Sequence, residues 1–108
     1  MESWHPYADG ATLGEKGTEN GIIRLDEEFS LGARITLEEA GYQPWGITCS
    51  IYGCFVRTAF ASSEEEARTK YATMKEEIGT TLERVESLPE DDASDFIDGF
   101  TERFCNTY

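Results

Sequence analysis

Basic side chains are scarce in this sequence, which has nine lysines and arginines against 22 aspartates and glutamates and a formal net charge of −13. Such an excess of negative charge is repelled by the phosphates of nucleic acids and by anionic membrane surfaces. We therefore expect no nucleic acid and no membrane among the partners of this chain. A basic protein surface or a cation is the partner that the charge favours.

Long apolar segments are also missing, because no run approaches the roughly 20 residues that a membrane-spanning helix requires. Residues 1–6 lack the basic and apolar regions of a secretory signal. The three cysteines are an odd number and widely spaced, so they do not form a disulfide framework. Together these features predict a cytoplasmic protein with reduced thiols.

Signatures of catalysis and of cofactor binding are absent as well. His5 is the only histidine, and no nucleophile is linked to it by a motif. Cys49 and Cys54 lack the two-residue spacing of a zinc site. The order Lys16-Gly17-Thr18 is not that of a phosphate-binding loop. We expect no metal, no cofactor and no catalytic residue, and an enzyme is the less favoured class.

The pattern of the chain predicts a single α+β domain over residues 1–108. Residues 1–20 form an irregular, glycine-containing lead-in, which the aromatic residues Trp4 and Tyr7 anchor to the core. Two β-hairpins follow over 21–62, then a long helix over 63–88 and a short C-terminal helix over 93–105. The expected fold is a two-layer sandwich in which a four-stranded antiparallel sheet is covered on one face by these helices.

Alternating apolar residues predict the first hairpin, with Ser30-Leu31-Gly32 as its loop. In the resulting register Leu25 faces Leu37 and Phe29 faces Ala33. Opposite charges then meet on the other face, where Arg24 lies across from Glu38 and Glu28 from Arg34. This register places Glu27 opposite Ile35 and turns its carboxylate towards the apolar side, so we expect a frayed or bulged strand end there.

A change of parity after Gly53 predicts the second hairpin. Apolar residues fall on odd numbers before this glycine and on even numbers after it, at Val56 and Phe60. A two-residue type II′ turn at Gly53-Cys54 keeps both sets on one face. In this register Tyr52 faces Phe55, Ser50 faces Arg57 and Cys49 faces Thr58. Cys49 then lies in the core, whereas Cys54 lies in an exposed turn.

Capping and amphipathic patterns define the two helices. Ser62 and Ser63 are both suitable N-caps, with glutamates three residues later, and Leu88-Pro89 ends the long helix. The later helix has an apolar face and an acidic face. The apolar face, which we assign to the core, comprises Phe96, Ile97, Phe100 and Phe104. The acidic face comprises Asp95, Asp98 and Glu102.

The predicted registers indicate one candidate binding site. Arg57, Tyr52, Phe55 and Ser50 share the sheet face that the helices leave open. Arg24 and Arg34 have acidic residues opposite, whereas Arg57 faces only Ser50. An arginine in this setting suits a carboxylate of a ligand or partner. The alternative is an arginine whose stem packs on Phe55 while its head group remains in water.

These observations favour a small binding or interaction protein that acts through its acidic surface or the open sheet face. One concrete form is an inhibitor or immunity-type protein that neutralises a basic partner. Another is a mimic of nucleic-acid charge, which requires acidic side chains in rows. The rival function is a small ligand-binding domain or enzyme that uses the open sheet face around Arg57.

Overall fold

Five strands follow one another in chain order across one antiparallel sheet in the computed structural model, which describes residues 3–108. Two helices follow the last strand, and their buried side chains share a core with one face of the sheet. The α+β class is confirmed, but the expected number of four strands is wrong. The strands are β1 (Trp4–Pro6), β2 (Ile22–Phe29), β3 (Ala33–Glu39), β4 (Trp45–Ile51) and β5 (Phe55–Ala61); the helices are α1 (Glu64–Glu86) and α2 (Glu90–Thr107).

The additional strand β1 lies within the segment predicted to be irregular. It pairs with the end of β2, where Trp4 lies opposite Phe29 with ring centroids 5.0 Å apart. Helix α1 lies close to the indole at Gly79, where an added Cβ would be only 3.2 Å from Trp4 Nε1. Trp4 therefore packs on the core as expected. Tyr7 instead stacks on Arg34 on the other face of the sheet.

The first hairpin has the predicted register near its loop, where Phe29 pairs with Ala33 and the loop glycine Gly32 has a φ of +110°. A bulge between Ile23 and Leu25 then changes the pairing. As a result, Glu38 lies opposite Ile23, and the predicted pairing of Arg24 with Glu38 is wrong.

Arg24 instead forms an ion pair with Glu39 at 2.9 Å on the surface. Regular pairing also does not end at Glu27, which lies opposite Ile35 within the continuous ladder. The carboxylate points towards α1, where Tyr71 and Lys75 contact it. The expectation that Glu27 marks a strand end was therefore wrong, because polar side chains of the helix compensate its burial.

The predicted register of the second hairpin is wrong by one residue. Strands β4 and β5 are joined by three residues, 52–54, and Ile51 pairs directly with Phe55. Gly53 has a φ of +77°, and Cys54 donates its N–H to the carbonyl of Ile51 at 2.9 Å. With three residues in the loop, the odd-numbered residues of both strands lie on the same face, and Arg57 lies opposite Cys49.

Apolar residues on the exposed side of β5 explain this error. Val56 and Phe60 are 72% and 43% exposed, and they belong to the face without helices. The core positions of β5 are filled by the smaller residues Ala59 and Ala61. The sequence pattern is therefore that of an edge strand whose larger apolar side chains point outward. Cys49 is buried and Cys54 exposed, as expected.

Helix α1 begins at its predicted cap, whereas α2 begins earlier than the sequence predicts. At the start of α1 the Ser63 hydroxyl accepts the N–H of Glu66 at 3.2 Å, which confirms Ser63 as the N-cap. Helix α2 begins at Glu90, directly after Pro89 and earlier than the predicted residue 93. Its buried residues Phe100 and Phe104 belong to the core. No helix within residues 3–108 is long and apolar enough to cross a membrane.

Candidate functional site

The four residues predicted to form a binding site lie on opposite faces of the sheet. In the observed register of the second hairpin, Arg57 and Phe55 face the helices, whereas Ser50 and Tyr52 face the open side. Tyr52 Oη donates to Glu28 Oε2 at 2.6 Å on that open side. Burial, followed by this hydrogen bond to the carboxylate, raises the pKa of Tyr52 to about 12. The predicted grouping of these four residues on one face was wrong.

Arg57 and Phe55 belong to the packing between sheet and helices. The Phe55 ring lies 5.6 Å from that of Phe104 and 6.3 Å from that of Phe100. Arg57 Nε is buried and has no hydrogen-bond partner among residues 3–108. Arg57 therefore lacks the exposed setting on the open face that its predicted role required.

A different arginine occupies the centre of the open face. Arg34 on β3 reaches diagonally to Asp26 on β2, with Nε–Oδ1 and Nη2–Oδ2 distances of 2.9 and 2.6 Å. The Asp26 side chain is fully buried and also accepts the Thr12 hydroxyl at 2.7 Å. The hydrogen bond to Asp26 raises the pKa of Arg34. The Tyr7 ring covers the guanidinium at 3.6 Å, so Arg34 is held from two sides.

A polar cleft of about 430 Å³ lies between the lead-in and this face of the sheet. The hydroxyl side chains of Thr36, Thr48 and Ser50 line it from the sheet. Arg34 and Glu38 lie on either side of Thr36 along β3 and line the cleft as well. Two further charged residues, Glu15 and Lys16, line it from the lead-in. The cleft therefore combines hydroxyl groups, which donate and accept hydrogen bonds, with two cationic and two anionic groups.

Glu38 holds the lead-in in place beside this cleft. The residue is only 2% exposed, and its Oε1 accepts the backbone N–H groups of Glu19 and Gly21, each at 3.1 Å. Gly17 packs so closely on the same carboxylate that an added Cβ would overlap it. The buried carboxylate thus fixes the loop that forms one wall of the cleft.

The groups that line the cleft are hydroxyls, carboxylates and basic side chains. Its hydroxyls have no histidine beside them, because His5 lies on β1 and contacts Glu28 at 3.4 Å. Within residues 3–108 there is also no group of three or more His, Cys, Asp or Glu side chains placed to hold a metal ion. The geometry supports hydrogen bonding to a small polar ligand.

A second feature lies on the outer face of α2. Four acidic residues recur there at steps of four, three and four positions and therefore share one side of the helix. All four are exposed, and none forms an ion pair within the described part of the chain. At a rise of about 1.5 Å per residue the row is roughly 16 Å long. These residues, called the acidic row below, are Asp91, Asp95, Asp98 and Glu102.

The sequence analysis identified one residue of the cleft, Ser50, and most of the acidic row. The acidic face of α2 was recognised through Asp95, Asp98 and Glu102, and the earlier start of the helix adds Asp91. The Asp26–Arg34 pair was missed, because the predicted register gave Arg34 the directly opposite residue Glu28 as its partner. Strand alternation already placed Asp26 and Arg34 on the same polar face, and this was the available signal.

Comparisons with known proteins give no relative of this chain: no family model, no curated protein and no solved structure matches it.

Proposed function

We propose that this protein binds a basic protein partner through the acidic row of α2. The observation that carries the proposal is the alignment of four exposed carboxylates on one helix face without ion-pair partners among residues 3–108. An inhibitor or immunity-type protein that neutralises a basic partner is the concrete form that we favour.

The charge of the whole helical region supports this assignment. Residues 63–108 contain 13 acidic and 5 basic side chains, an excess of eight negative charges. Two of the acids, Glu64 and Glu66, are paired along α1 with Arg68 and Lys70. The acidic row is left to act on charges outside the chain. A field of one sign raises the rate of encounter with a partner of the opposite sign.

Packing of the opposite face of α2 keeps the row in place. Phe100 and Phe104 are buried, with ring centroids 5.2 Å apart, and both contact Phe55 on β5. The carboxylates therefore project from a helix that is already attached to the sheet. A preformed row reduces the entropy that is lost when a partner binds.

The test compares two variants that lose the same number of charges. The first is D91N/D95N/D98N/E102Q, which removes the acidic row. The matched control, E65Q/E76Q/E83Q/E86Q, neutralises four exposed acids of α1 that have no ion-pair partner in the described structure. Basic proteins captured from a native cell extract by the wild-type protein are the probe.

We expect the row variant to lose the captured partner and the α1 variant to retain it. The wild-type complex should weaken as the salt concentration rises from about 50 to about 300 mM, since salt screens exposed charges. Equal losses in both variants would show that net charge alone matters. Retention by the row variant would place the interface elsewhere. Either result contradicts the proposal.

The polar cleft supports a second candidate function, the binding of a small neutral ligand rich in hydroxyl groups. The observation in its favour is the hydroxyl floor beside Arg34, whose Nη1 does not take part in the bond to Asp26. A neutral polar ligand suits the cleft because the two basic residues that line it, Lys16 and Arg34, are balanced by two acidic ones, Glu15 and Glu38. This candidate keeps the predicted face of the sheet but replaces Arg57 with Arg34.

Thermal shift assays with a panel of simple sugars and nucleosides test the second candidate. A ligand that stabilises the wild type should stabilise Ser50→Ala less, since that hydroxyl lines the cleft. Ser62→Ala is the control, because Ser62 is exposed and lies outside the residues that line the cleft. This function would be contradicted if a ligand stabilised the two variants equally, or if it stabilised neither variant relative to buffer.

A further inference from the structure

Strand β5 leaves one of its two edges without a neighbouring strand. It is the last in the strand order, and within residues 3–108 only β4 pairs with it. Lys70 Nζ donates to the carbonyl oxygen of Phe60 at 2.8 Å, so the main chain of Phe60 faces away from β4. Because main-chain direction alternates along a strand, Val56 and Thr58 also direct their N–H and C=O groups to this edge.

The same three residues present their side chains on the helix-free face of the sheet. Both large apolar side chains are exposed there, Val56 by 72% and Phe60 by 43%. A free edge with exposed apolar residues is a template for pairing with another strand. The charged residue of β5, Arg57, points to the other face and does not protect this one.

We propose that β5 pairs with β5 of a second copy of this chain, antiparallel about a twofold axis at Thr58. In this register Val56 of each copy lies opposite Phe60 of the other, and the two Thr58 residues face each other. Aromatic and β-branched residues are favourable neighbours across antiparallel strands. Val56, Thr58 and Phe60 direct their main-chain groups outward, and each lies opposite another of these three residues in the second copy. Their N–H and C=O groups therefore form hydrogen bonds between the two strands.

The strand is self-complementary in this register and not in the adjacent ones. A shift of the axis to Arg57 places two guanidinium groups directly opposite, which is destabilising, and leaves Phe60 beside the turn residue Cys54. A shift to Ala59 leaves Val56 opposite Ser62, which lies beyond the end of β5. With the axis at Thr58, each Arg57 lies opposite Ala59. The two Val56–Phe60 pairs and the central Thr58 pair that this register provides are the reason that we assign the edge to a second copy.

Pairing across this edge also continues an arrangement that is already present in one copy. Thr48 and Thr58 are hydrogen-bonded through their hydroxyls at 3.0 Å, and Thr36 lies opposite Thr48 on the next strand. The twofold axis extends this threonine row into the second copy. In the dimer the carbonyl oxygen of Phe60 accepts the N–H of Val56 in the other copy instead of the ammonium group of Lys70.

Sedimentation equilibrium over about 1 to about 500 µM tests the association. We expect a reversible dimer of twice the 12.1 kDa chain mass. Val56→Lys should weaken it by roughly tenfold or more, because the substitution removes both apolar pairs. The control is Leu13→Lys, which also replaces an exposed apolar residue but lies in the lead-in beside β2. Circular dichroism establishes that both variants are folded.

Cysteine cross-linking tests the register. In the proposed dimer the two Thr58 Cα atoms lie about 5.5 Å apart, within reach of a disulfide. The two Val56 Cα atoms are four residues apart along the strands, at least about 13 Å, which is too far. In a Cys54→Ser background, Thr58→Cys should form a covalent dimer under mild oxidation, whereas Val56→Cys should not exceed the background protein.

Three results would overturn the proposal. The first is a monomer at every concentration, even if the edge then binds a peptide strand of another protein. The second is a dimer that Val56→Lys and Leu13→Lys weaken equally. The third is cross-linking of Val56→Cys as readily as of Thr58→Cys, because this would exclude the register about Thr58.

Discussion

Tyr71 of α1 donates its hydroxyl hydrogen to Glu27 of β2 at an oxygen–oxygen distance of 2.6 Å. This bond joins the helix layer to the sheet. It accounts for a carboxylate on the apolar side of a strand, together with Lys75, whose Nζ lies 2.9 Å from Glu27 Oε2. Burial and the bond to Glu27 raise the pKa of Tyr71, so its phenol remains a donor throughout the neutral range.

Tyr71→Phe should lower the free energy of unfolding by about 1.5–3 kcal/mol. The substitution keeps the packing of the ring but removes one hydrogen bond to a charged group. Urea melts at neutral pH measure the difference. A loss below about 0.5 kcal/mol would mean that Lys75 alone satisfies Glu27.

Asp26→Ala should destabilise the protein by about 3 kcal/mol, the lower end for breaking a buried ion pair, since Arg34 remains partly exposed. The substitution also removes the acceptor for Thr12. The control is Glu39→Ala, which breaks the surface pair with Arg24 and should cost less than about 1 kcal/mol. Similar losses in the two variants would contradict the structural role of Asp26.

Arg57→Met should leave the free energy of unfolding unchanged or raise it by up to about 1 kcal/mol. Methionine keeps an apolar chain of similar reach and removes a buried N–H that has no partner among residues 3–108. Denaturant melts compare the variant with the wild type. A loss above about 1 kcal/mol would show that the guanidinium makes a stabilising interaction in solution.

The free energy of unfolding should fall as the pH rises from about 9 to about 12. Burial is the main cause that raises the pKa of the Cys49 thiol to about 12, and nearby Cys105 adds to the shift while Arg57 opposes it. An unfolded thiol ionises near pH 8.5–9, at about its ordinary value. Above that pH the unfolded chain therefore binds fewer protons than the native protein, and stability decreases.

Urea melts at several alkaline pH values test the contribution of Cys49. Cys49→Ala should show a shallower decline than the wild type, and Cys54→Ala, which replaces an exposed thiol, should decline like the wild type. Tyr71 contributes to the decline above about pH 10 in all three proteins. Parallel curves for Cys49→Ala and the wild type would contradict the prediction.

The sequence by itself determined those elements whose signals are local. The cap at Ser63 and the apolar stripe of α1 lie within one continuous segment, and the structure confirms the helix. In the first hairpin a glycine suited to the left-handed region, Gly32, and two complementary alternating strands defined the register near the loop. The acidic face of α2 followed from helical periodicity in the same way.

Tertiary structure alone decided the second hairpin and the contents of the open face. The alternation of apolar residues could not distinguish a two-residue loop from a three-residue loop in this hairpin. Val56 and Phe60 are apolar and therefore suggested a core face, but they lie on the outward side of an edge strand. What selects the observed register is the space beneath the helices, which admits Ala59 and Ala61. Asp26 and Arg34 likewise meet diagonally across neighbouring strands, under a lead-in that Glu38 holds in place. These contacts join residues that are distant in sequence, and local pattern does not encode which of several polar partners a side chain will choose.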